Sequence, residues 1–339
     1  MKNLLEQVLQ GIDLSENQAH GLMHQLAGGE MPAAMAGALL AALRCKGECA
    51  EEIRGFALAM RELAIKPRIA EKGPCVDTVG TGGDGSGSLN LSTGSGLLAA
   101  AAGARVVKHG NRSVSSLCGS ADVLEALGLA LPLDETQAGQ CLEQAGFTFL
   151  FAPYYHPAMK AVAPVRAAMG VRTVFNILGP LTNPACPEYQ VIGAFSPEVA
   201  RLMASTLAGM PIRRAFVIHG EPGWDEATPV GKFLLFDVHP GRVDEYEKDP
   251  LDHGIPRCDP KELKGGDAGV NARALQEVLR GTRQGAARDA LVLGAALVLE
   301  VVGIAGDLDE GLVLAAKAID DGSAASLLDR LAGFGADSR

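Results

Sequence analysis

The sequence of 339 residues lacks a set of four cysteine and histidine ligands spaced for a structural zinc site. Its seven cysteines are scattered and odd in number, and the pattern C-x-x-C does not occur. Cys45 and Cys49 come closest to a metal pair, but no second pair and no nearby histidine completes a set of four ligands. We therefore expect reduced thiols, as is usual in a cytosolic protein.

Positive charge is also scarce, with 30 Lys and Arg residues against 40 Asp and Glu and a formal net charge of −10. This balance disfavours nucleic acid and membrane surfaces as partners, so an anionic ligand needs a local positive site or a metal. The longest apolar run, 290–299, ends at Glu300 and is too short to span a bilayer. The first residues place Glu6 and Gln7 inside an apolar pattern, unlike a signal peptide, so we expect a cytoplasmic protein.

Glycine, in contrast, is concentrated in one loop between a predicted strand, Cys75–Val79, and a predicted helix that begins near Ser92. Glycine lets backbone N–H groups approach an anion, and a helix start adds unpaired N–H donors, so such a loop is typical of a phosphate site. The alternative is a plain strand-to-helix turn, which needs fewer glycines and no row of hydroxyls. The spacing matches neither the P-loop nor G-x-G-x-x-G, which disfavours ATP and NAD. The loop contains Gly80, Gly82, Gly83, Gly85, Gly87, Ser86 and Ser88.

Residues 1–70 predict a small helical domain. Helical spacing of apolar residues recurs in four segments, and Ser15 with Gln18 forms a capping box at the start of the second. The fourth helix is expected over Ala50–Leu63. Its Ala, Leu and Met stripes are more typical of a core or a dimer surface than of a ligand site.

From residue 71 strands alternate with helices, which predicts a large α/β domain with a mostly parallel central sheet flanked by helices. A hairpin within 232–247 is expected at the sheet edge. Residues 155–188 are rich in proline and are expected to complete the helical domain, so that the α/β domain comprises 71–154 and 189–339. The predicted parallel strands are Cys75–Val79, Ala104–Lys108, Thr148–Ala152, Gln190–Phe195 and Ala215–His219.

A second polar cluster follows the second predicted strand, from Lys108 to Asp122. Lys108 and Arg112 place two cations among hydroxyl groups in an otherwise acidic protein, which favours a multiply charged anion over a solvated surface loop. His109 stands at the strand end, where a ligand role and a structural role are equally open. The hydroxyl groups belong to Ser113, Ser115, Ser116 and Ser120.

A third cluster is the acidic pair Asp225-Glu226, beyond the fifth predicted strand. Adjacent carboxylates at a strand end are suited to Mg²⁺, a hard ion that takes oxygen ligands. Adjacent acidic residues are also common on solvated surfaces, so the pair alone leaves both interpretations open. Ligands of parallel sheets bind at the carboxyl ends of the strands, so we expect the three clusters to meet at one edge.

Four stretches carry a resemblance to a known family: VDTVGTGGDGSGSLNLSTG, KHGNRSVSSLCGSADVLEALG, FAPYYHPAMKAVAPVRAAMGVRTVFNILGPLTNPA and KGGDAGVNA. They resemble the anthranilate phosphoribosyltransferase family, in order and over nearly the whole chain to about Leu331. The resemblance implies a fold like that of the nucleoside phosphorylases and phosphoribosyltransferases. It also implies magnesium-dependent transfer of a phosphoribosyl group from phosphoribosyl pyrophosphate to anthranilate in tryptophan biosynthesis. A homodimer through the helical domain is expected, and anthranilate synthase is expected only as separate chains.

The resemblance further implies which residues bind each ligand. Anthranilate would contact Gly80, Asn111 and Arg166, with His156 and Tyr154 along its path. A pair of magnesium ions per chain would bind through Ser92, Asp225 and Glu226. Phosphoribosyl pyrophosphate would be held by Gly80, Gly83, Asp84, Ser88, Asn90, Leu91, Ser92, Thr93, Lys108, His109, Gly110, Asn111, Arg112, Ser113, Val114, Ser115, Ser116 and Ser120.

Four positions depart from the commoner family pattern, one of them Ala227, which follows the acidic pair where Ile or Val is often found. Trp224 precedes the acidic pair where Leu or Met is usual, Leu117 replaces a more often polar residue, and Gly294 stands where Asn is frequent. None removes an implied ligand, although Trp224 is placed to reshape the metal loop. Two alternatives stay open. One is a pyrimidine nucleoside phosphorylase or a transferase for another aromatic amine, and the other is a non-catalytic relative that binds nucleic acid, which the acidic balance disfavours.

Overall fold

A computed structural model describes residues 1–113 and 117–334, so three implied donor ligands, Val114, Ser115 and Ser116, lie outside the described residues. The chain begins with four helices, α1 (Lys2–Leu9), α2 (Glu16–Ala27), α3 (Ala33–Lys46) and α4 (Ala50–Leu63). The predicted capping box is present, because Ser15 Oγ accepts from Gln18 N (3.3 Å) and Gln18 Oε1 accepts from Ser15 N (2.9 Å). The bounds of α4 are those predicted.

A seven-stranded sheet forms the centre of the molecule, in the order β3-β2-β1-β4-β5-β6-β7. The first five strands along the chain pair in parallel, and the last two form an antiparallel hairpin at the edge. Each predicted parallel strand is present, with its ends moved by one or two residues. The strands are β1 (Val76–Gly80), β2 (Val106–Gly110), β3 (Phe147–Phe151), β4 (Tyr189–Gly193), β5 (Arg214–Gly220), β6 (Phe233–His239) and β7 (Arg242–Lys248).

Helices connect these strands and cover the sheet. They are α5 (Leu91–Ala101), α6 (Ser120–Ala126), α7 (Glu135–Ala145), α8 (Ala152–Tyr155), α9 (Met159–Met169), α10 (Phe175–Leu178), α11 (Pro197–Ala208), α12 (Ala268–Leu279), α13 (Ala286–Val301), α14 (Leu308–Asp320) and α15 (Ser323–Gly333). The apolar run in α13 is almost entirely buried, as expected for a core helix. Across the described ranges, none of these helices is long and apolar enough to cross a membrane.

The sheet separates the two large hydrophobic cores of the described residues. Alternate residues of β5 show the division, because Phe216 and Ile218 belong to the core beneath α5 and α13, whereas Ala215 and Val217 belong to the other. This second core continues through α11 into the N-terminal helices. Helix α9, in the segment between β3 and β4, packs against α2 and α3. This segment therefore lies on the N-terminal helices, and α9 faces the carboxyl ends of the strands.

Candidate active site

A cavity of about 860 Å³ lies at the carboxyl ends of β1 and β2. The loop after β5 contributes Asp225 and Glu226, and the helical side of the wall comes from α4, α9 and α10. The strand order places β4 on the far side of β1 from β2, so the cavity lies at the point where chain order reverses, which is where sheets of this kind bind ligands. The three polar clusters meet here, as predicted.

The glycine loop is folded onto the acidic pair. Gly82 N donates a hydrogen bond to Asp225 Oδ2 (2.6 Å), and Asp225 N donates one to Asp84 Oδ2 (3.4 Å). A Cβ atom at Gly80 would lie 2.3 Å from Asp225 Oδ2, which is too close for any larger residue. The loop therefore needs glycine at position 80 because a carboxylate approaches its backbone.

The carboxylates of Asp225, Glu226 and Asp84 form an oxygen-rich group at the floor of the cavity. Asp225 is only 8% exposed, and Glu226 Oε1 accepts a hydrogen bond from Ser92 N (3.0 Å) at the start of α5. Burial raises the pKa of Asp225, and the nearby Asp84 raises it further. Burial and the neighbouring Asp225 likewise raise the pKa of Glu226. A divalent cation fits this arrangement, because it would stabilise the negative charge that burial and mutual repulsion disfavour.

Lys108 brings a cation to the same place. It is 1% exposed, and its ammonium group donates to Ser92 Oγ (3.2 Å) and to the carbonyl of Thr78. Burial lowers the pKa of Lys108, while the carboxylates of Asp77 and Glu226 favour its charged form. The ammonium group, the start of α5 and the acidic pair are thus joined by direct hydrogen bonds through Ser92.

A buried network beneath Lys108 and His109 was not predicted from the sequence. Asp77 Oδ1 accepts a hydrogen bond from His109 N (3.2 Å), and Asp77 Oδ2 accepts one from Asn183 Nδ2 (2.8 Å). Burial raises the pKa of Asp77 to about 6, and Lys108 acts in the opposite direction. The sequence feature that could have indicated this network is Asp77, a charged residue inside the otherwise apolar strand VDTVG.

Two neutral histidines stand side by side next to this network. The rings of His109 and His156 have centroids 5.0 Å apart, and His109 Nδ1 lies 2.9 Å from the carbonyl oxygen of Leu150. Burial lowers the pKa of His109 to about 3 and that of His156 to about 4. Both rings line the cavity. Tyr154 is not among the described residues of the cavity wall, and its hydroxyl donates to Glu135 Oε2 (3.0 Å) instead.

Arg166 lies on α9, in the helical part of the cavity wall. Its guanidinium carbon is 5.1 Å from the ring centroid of Phe175, and burial lowers its pKa. Gly80 and Asn111 line the same cavity. A planar cation beside an aromatic ring suits a flat aromatic carboxylate, because the guanidinium group matches two carboxylate oxygens at once.

Arg112 points to partners within the protein. Its guanidinium group donates to Asp122 Oδ1 (3.0 Å) and to Glu125 Oε1 (2.8 Å), and these carboxylates raise its pKa. Its charge is therefore already balanced at the rim of the cavity. Among the implied donor ligands that the structure describes, all but Thr93 line the cavity, and the buried Thr93 donates from Oγ1 to Ser120 Oγ (3.1 Å).

Arg172 and Asn271 are cavity residues that the sequence did not single out. Arg172 Nη2 donates to the carbonyl of Gly83 (2.5 Å), and its guanidinium carbon lies 4.6 Å from the ring centroid of Phe195. Asn271 Nδ2 donates to Asn90 Oδ1 (2.8 Å). Each contact joins segments far apart in the chain. The only signal for either residue was its place in a stretch that carries the family resemblance, since Arg172 lies within FAPYYHPAMKAVAPVRAAMGVRTVFNILGPLTNPA and Asn271 within KGGDAGVNA.

Trp224 is buried against the core, at 7% exposure, and its carbonyl accepts a hydrogen bond from Gly220 N (2.9 Å). The indole therefore anchors the turn before the acidic pair, and it is not among the described residues that line the cavity. Leu117 is 81% exposed and still borders the cavity.

The chain matches two family models. Residues 72–325 match the α/β domain of a glycosyl transferase family, and residues 2–64 match the helical bundle domain of the same family. Two curated relatives are the anthranilate phosphoribosyltransferases of Rubrobacter xylanophilus and Bradyrhizobium diazoefficiens. The first is 47% identical over 97% of this chain and 96% of the relative, and the second is 43% identical over 98% and 97%.

Solved structures give the same result. The crystal structure of anthranilate phosphoribosyltransferase from Thermus thermophilus aligns over 98% of both chains, with a TM-score of 0.91 and 43% identity. The Saccharomyces cerevisiae enzyme, solved in complex with PRPP and Mg, aligns over 97% of this chain and 96% of its own, with a TM-score of 0.88. At 24% identity the yeast likeness shows the fold. With matches over nearly its whole length, this chain belongs to the anthranilate phosphoribosyltransferase family.

Proposed function

We propose that this protein transfers the 5-phosphoribosyl group from phosphoribosyl pyrophosphate to the amine of anthranilate, giving N-(5-phosphoribosyl)anthranilate and pyrophosphate in tryptophan biosynthesis. The observation that carries the proposal is the shared cavity, in which a glycine loop, a buried lysine and an acidic group meet an arginine-bearing helix. Relatives at 43–47% identity carry the name of this activity, which supports it.

The donor binds, in this proposal, at the end of the sheet. Backbone N–H groups of the glycine loop and of the start of α5 bind its phosphates. Lys108 stabilises the charge that develops on pyrophosphate as its bond to the anomeric carbon breaks. Asn90 is held by Asn271 and so stays fixed at the N-cap of α5. The proposed division into a helical domain of 1–70 with 155–188, and an α/β domain of the rest, places these groups in the α/β domain.

Ser92, Asp225 and Glu226 would hold magnesium, and we propose a pair of ions per chain. When bound, magnesium supplies positive charge to the leaving pyrophosphate. The residues themselves prepare the site, because Ser92 N and Gly82 N orient the two carboxylates before any substrate arrives. Asp84, which the acidic pair contacts, keeps a third carboxylate within the same group.

The acceptor binds between the glycine loop and α9. Arg166 pairs with the carboxylate of anthranilate, Phe175 supports the guanidinium group, and Asn111 with Gly80 closes the other side. The neutral rings of His109 and His156 add no positive charge beside the reacting amine. An aromatic amine is largely neutral at pH 7, so the reaction demands no strong general base, and we assign none.

Positioning of the two substrates is then the main source of the rate acceleration. The ribose carbon develops positive charge as pyrophosphate leaves, and the amine attacks from the opposite face, so the configuration inverts. Orientation of two bound reactants can supply on the order of 7 to 11 kcal/mol of the barrier. Because Arg166 holds the acceptor from the helical side while the donor binds at the end of the sheet, closure of the helical side over the sheet would exclude water that otherwise hydrolyses the donor.

We also propose a homodimer formed through the helical domain. Leu9 and Ile12, near the end of α1, are 63% and 52% exposed, which supports an apolar contact surface there. Light scattering after size-exclusion chromatography tests this proposal. We expect the wild type to be a dimer and the double variant Leu9→Glu, Ile12→Glu to be a monomer. A monomeric wild type would refute the proposal. Anthranilate synthase, if it associates, would do so as separate chains.

The test of the activity is loss of anthranilate fluorescence on adding protein. We expect loss only when phosphoribosyl pyrophosphate and Mg²⁺ are both present. Omitting either one gives the matched control. A well-folded protein that leaves the fluorescence unchanged would refute the acceptor, and phosphorolysis of pyrimidine nucleosides or a salt-dependent shift of DNA would then identify the alternative functions.

A further inference from the structure

A cluster of metal-ligating side chains lies outside the cavity, on the packed helices α2 and α4. His20 and His24 stand four residues apart on α2 and therefore share one face of the helix. Glu62 lies in the last turn of α4 and meets them. His20 Nε2 is 2.9 Å from Glu62 Oε2, and His24 Nε2 is 3.1 Å from the same oxygen.

The three ligand atoms lie within 4.8 Å of one another, and the two imidazole rings have centroids 4.8 Å apart. Ligand atoms around a tetrahedral metal with bonds of about 2.0–2.1 Å are roughly 3.3 Å apart. The observed separations from nitrogen to oxygen are thus close to those of a bound metal. Small rotations of these exposed side chains would move the three ligand atoms apart by the few tenths of an ångström that the ion needs.

Solvent can reach this cluster. The side chains of His20, His24 and Glu62 are 31%, 37% and 59% exposed, so a hydrated ion can enter and keep water as a further ligand. Two imidazoles and one carboxylate favour Zn²⁺, Ni²⁺, Co²⁺ or Cu²⁺ over Mg²⁺, which prefers oxygen ligands alone. The ligand chemistry therefore differs from that of the all-oxygen group in the cavity.

A second group of potential metal ligands, with no histidine, shows the contrast. Asp13, Cys49 and Glu52 also approach one another, but the ammonium group of Lys46 binds Asp13 Oδ1 (2.5 Å) and Glu52 Oε2 (3.0 Å). A cation of the protein thus already balances these carboxylates. Within the described residues, the ion-pair partners of Glu62 are the two histidines alone.

We propose that His20, His24 and Glu62 form a surface site for a divalent transition metal of the zinc class, one ion per chain, which links α2 to α4. The site would stabilise the helical part of the chain without touching the substrates. Loss of one ligand should weaken binding at least about tenfold, since changes to outer residues alone cost about 10- to 100-fold.

Titration calorimetry with Zn²⁺ on the untagged full chain, saturated with Mg²⁺, tests the proposal. We expect a site that binds one equivalent and that His20→Asn, His24→Asn or Glu62→Gln each weaken at least about tenfold. His253→Asn is the matched control, because His253 pairs with a single carboxylate, that of Asp309 (2.6 Å). Its affinity should equal that of the wild type.

A second readout separates this site from the cavity and from the thiols. Co²⁺ bound by nitrogen and oxygen absorbs in the visible range, and the bands should vanish in the His20→Asn, His24→Asn double variant while remaining in Asp225→Ala. Zn²⁺ should also raise Tm by a few degrees in the wild type but not in the double variant. Equal Zn²⁺ affinity and equal Co²⁺ bands in the wild type and the double variant would overturn the proposal, as would no Zn²⁺ binding by the wild type.

Discussion

The two sides of the cavity are built differently. On the sheet side, backbone N–H groups, Lys108 and three carboxylates are tied together by hydrogen bonds before any ligand is present. On the helical side, Arg166 packs on one aromatic ring and the ring of His156 is neutral. The difference indicates that the sheet side is preorganised for a multiply charged donor, whereas the helical side selects a small, singly charged aromatic acceptor.

Removing the acidic pair should have the largest effect. Asp225→Ala or Glu226→Ala deletes a carboxylate that the glycine loop and the start of α5 orient, so we expect turnover to fall by at least about 100-fold and the magnesium requirement to rise. Steady-state rates across a magnesium titration measure both effects. Glu221→Gln, on the same loop, is the control and should retain activity. Unchanged magnesium dependence in both variants would remove these residues as ligands.

Substitution of Arg166 should affect the acceptor alone. Arg166→Ala removes the cation expected to pair with the anthranilate carboxylate, and loss of a charge-assisted pair costs about 1.5–3 kcal/mol, or roughly 10- to 150-fold in affinity. We expect the KM for anthranilate to rise by that factor and the KM for phosphoribosyl pyrophosphate to stay constant. Arg201→Ala, an exposed arginine paired with Glu245, is the control. An unchanged KM for anthranilate would contradict the role of Arg166.

Arg172 also lies on the helical side of the cavity, but its substitution should affect the donor more than the acceptor. Its guanidinium group holds the carbonyl of Gly83, so Arg172→Ala should loosen the glycine loop and raise the KM for phosphoribosyl pyrophosphate about tenfold, as for one charge-assisted hydrogen bond. The KM for anthranilate should change less. If Arg166→Ala and Arg172→Ala alter the same KM, the two sides of the cavity do not divide the ligands as described.

The neutral histidines predict how stability depends on pH. Their pKa values, about 3 for His109 and about 4 for His156, lie below the ordinary value of 6.5, so the unfolded chain binds more protons as the pH falls below about 6.5. The contribution of the two histidines to the free energy of unfolding should decrease from about pH 6.5 toward pH 4, by up to about 1.4 kcal/mol per pH unit for each, while carboxyl groups with raised pKa values, such as Asp77, contribute in the opposite direction. The stability advantage of the wild type over His156→Gln, measured by urea unfolding at several pH values, should therefore shrink as the pH falls over this range. Parallel curves for variant and wild type would contradict this account.

The smallest effect is expected at Gly294, on the helix that supports α5. A Cβ atom there would lie 2.3 Å from Ser95 Oγ, so Gly294→Ala should lower the free energy of unfolding by about 1 kcal/mol, since overpacking costs about 1–3 kcal/mol and helix propensity returns up to about 1. In the Ser95→Gly background the same alanine substitution should cost less, because the Oγ and Cβ atoms that its methyl group would meet are absent. Gly269→Ala, where the nearest atom is 3.5 Å away, is the control. Equal stability of both alanine variants would refute the steric argument.

Much of the sheet side could be predicted because its signals are local. Short apolar runs followed by glycine mark the strands, and the rule that ligands bind at strand ends brings the glycine loop, Lys108 and the acidic pair together. The predicted architecture of a helical part and a mostly parallel sheet is confirmed.

What could not be predicted depends on side-chain partners distant in the chain. Asn183 bonds to Asp77 across 106 residues, and Arg172 bonds to Gly83 across 89. The pairing of Arg112 with Glu125 depends on where α6 is packed, which charge patterns alone do not reveal. Only the folded chain determines which of several nearby polar groups a long side chain reaches.

The most direct test of the central claim is the release of pyrophosphate measured with and without anthranilate. If the two sides of the cavity hold donor and acceptor together and exclude water, pyrophosphate should appear one for one with the loss of anthranilate, and its release should be negligible without the acceptor. Release of pyrophosphate at a similar rate in the absence of anthranilate would contradict the account, because the sheet side would then be acting alone on water.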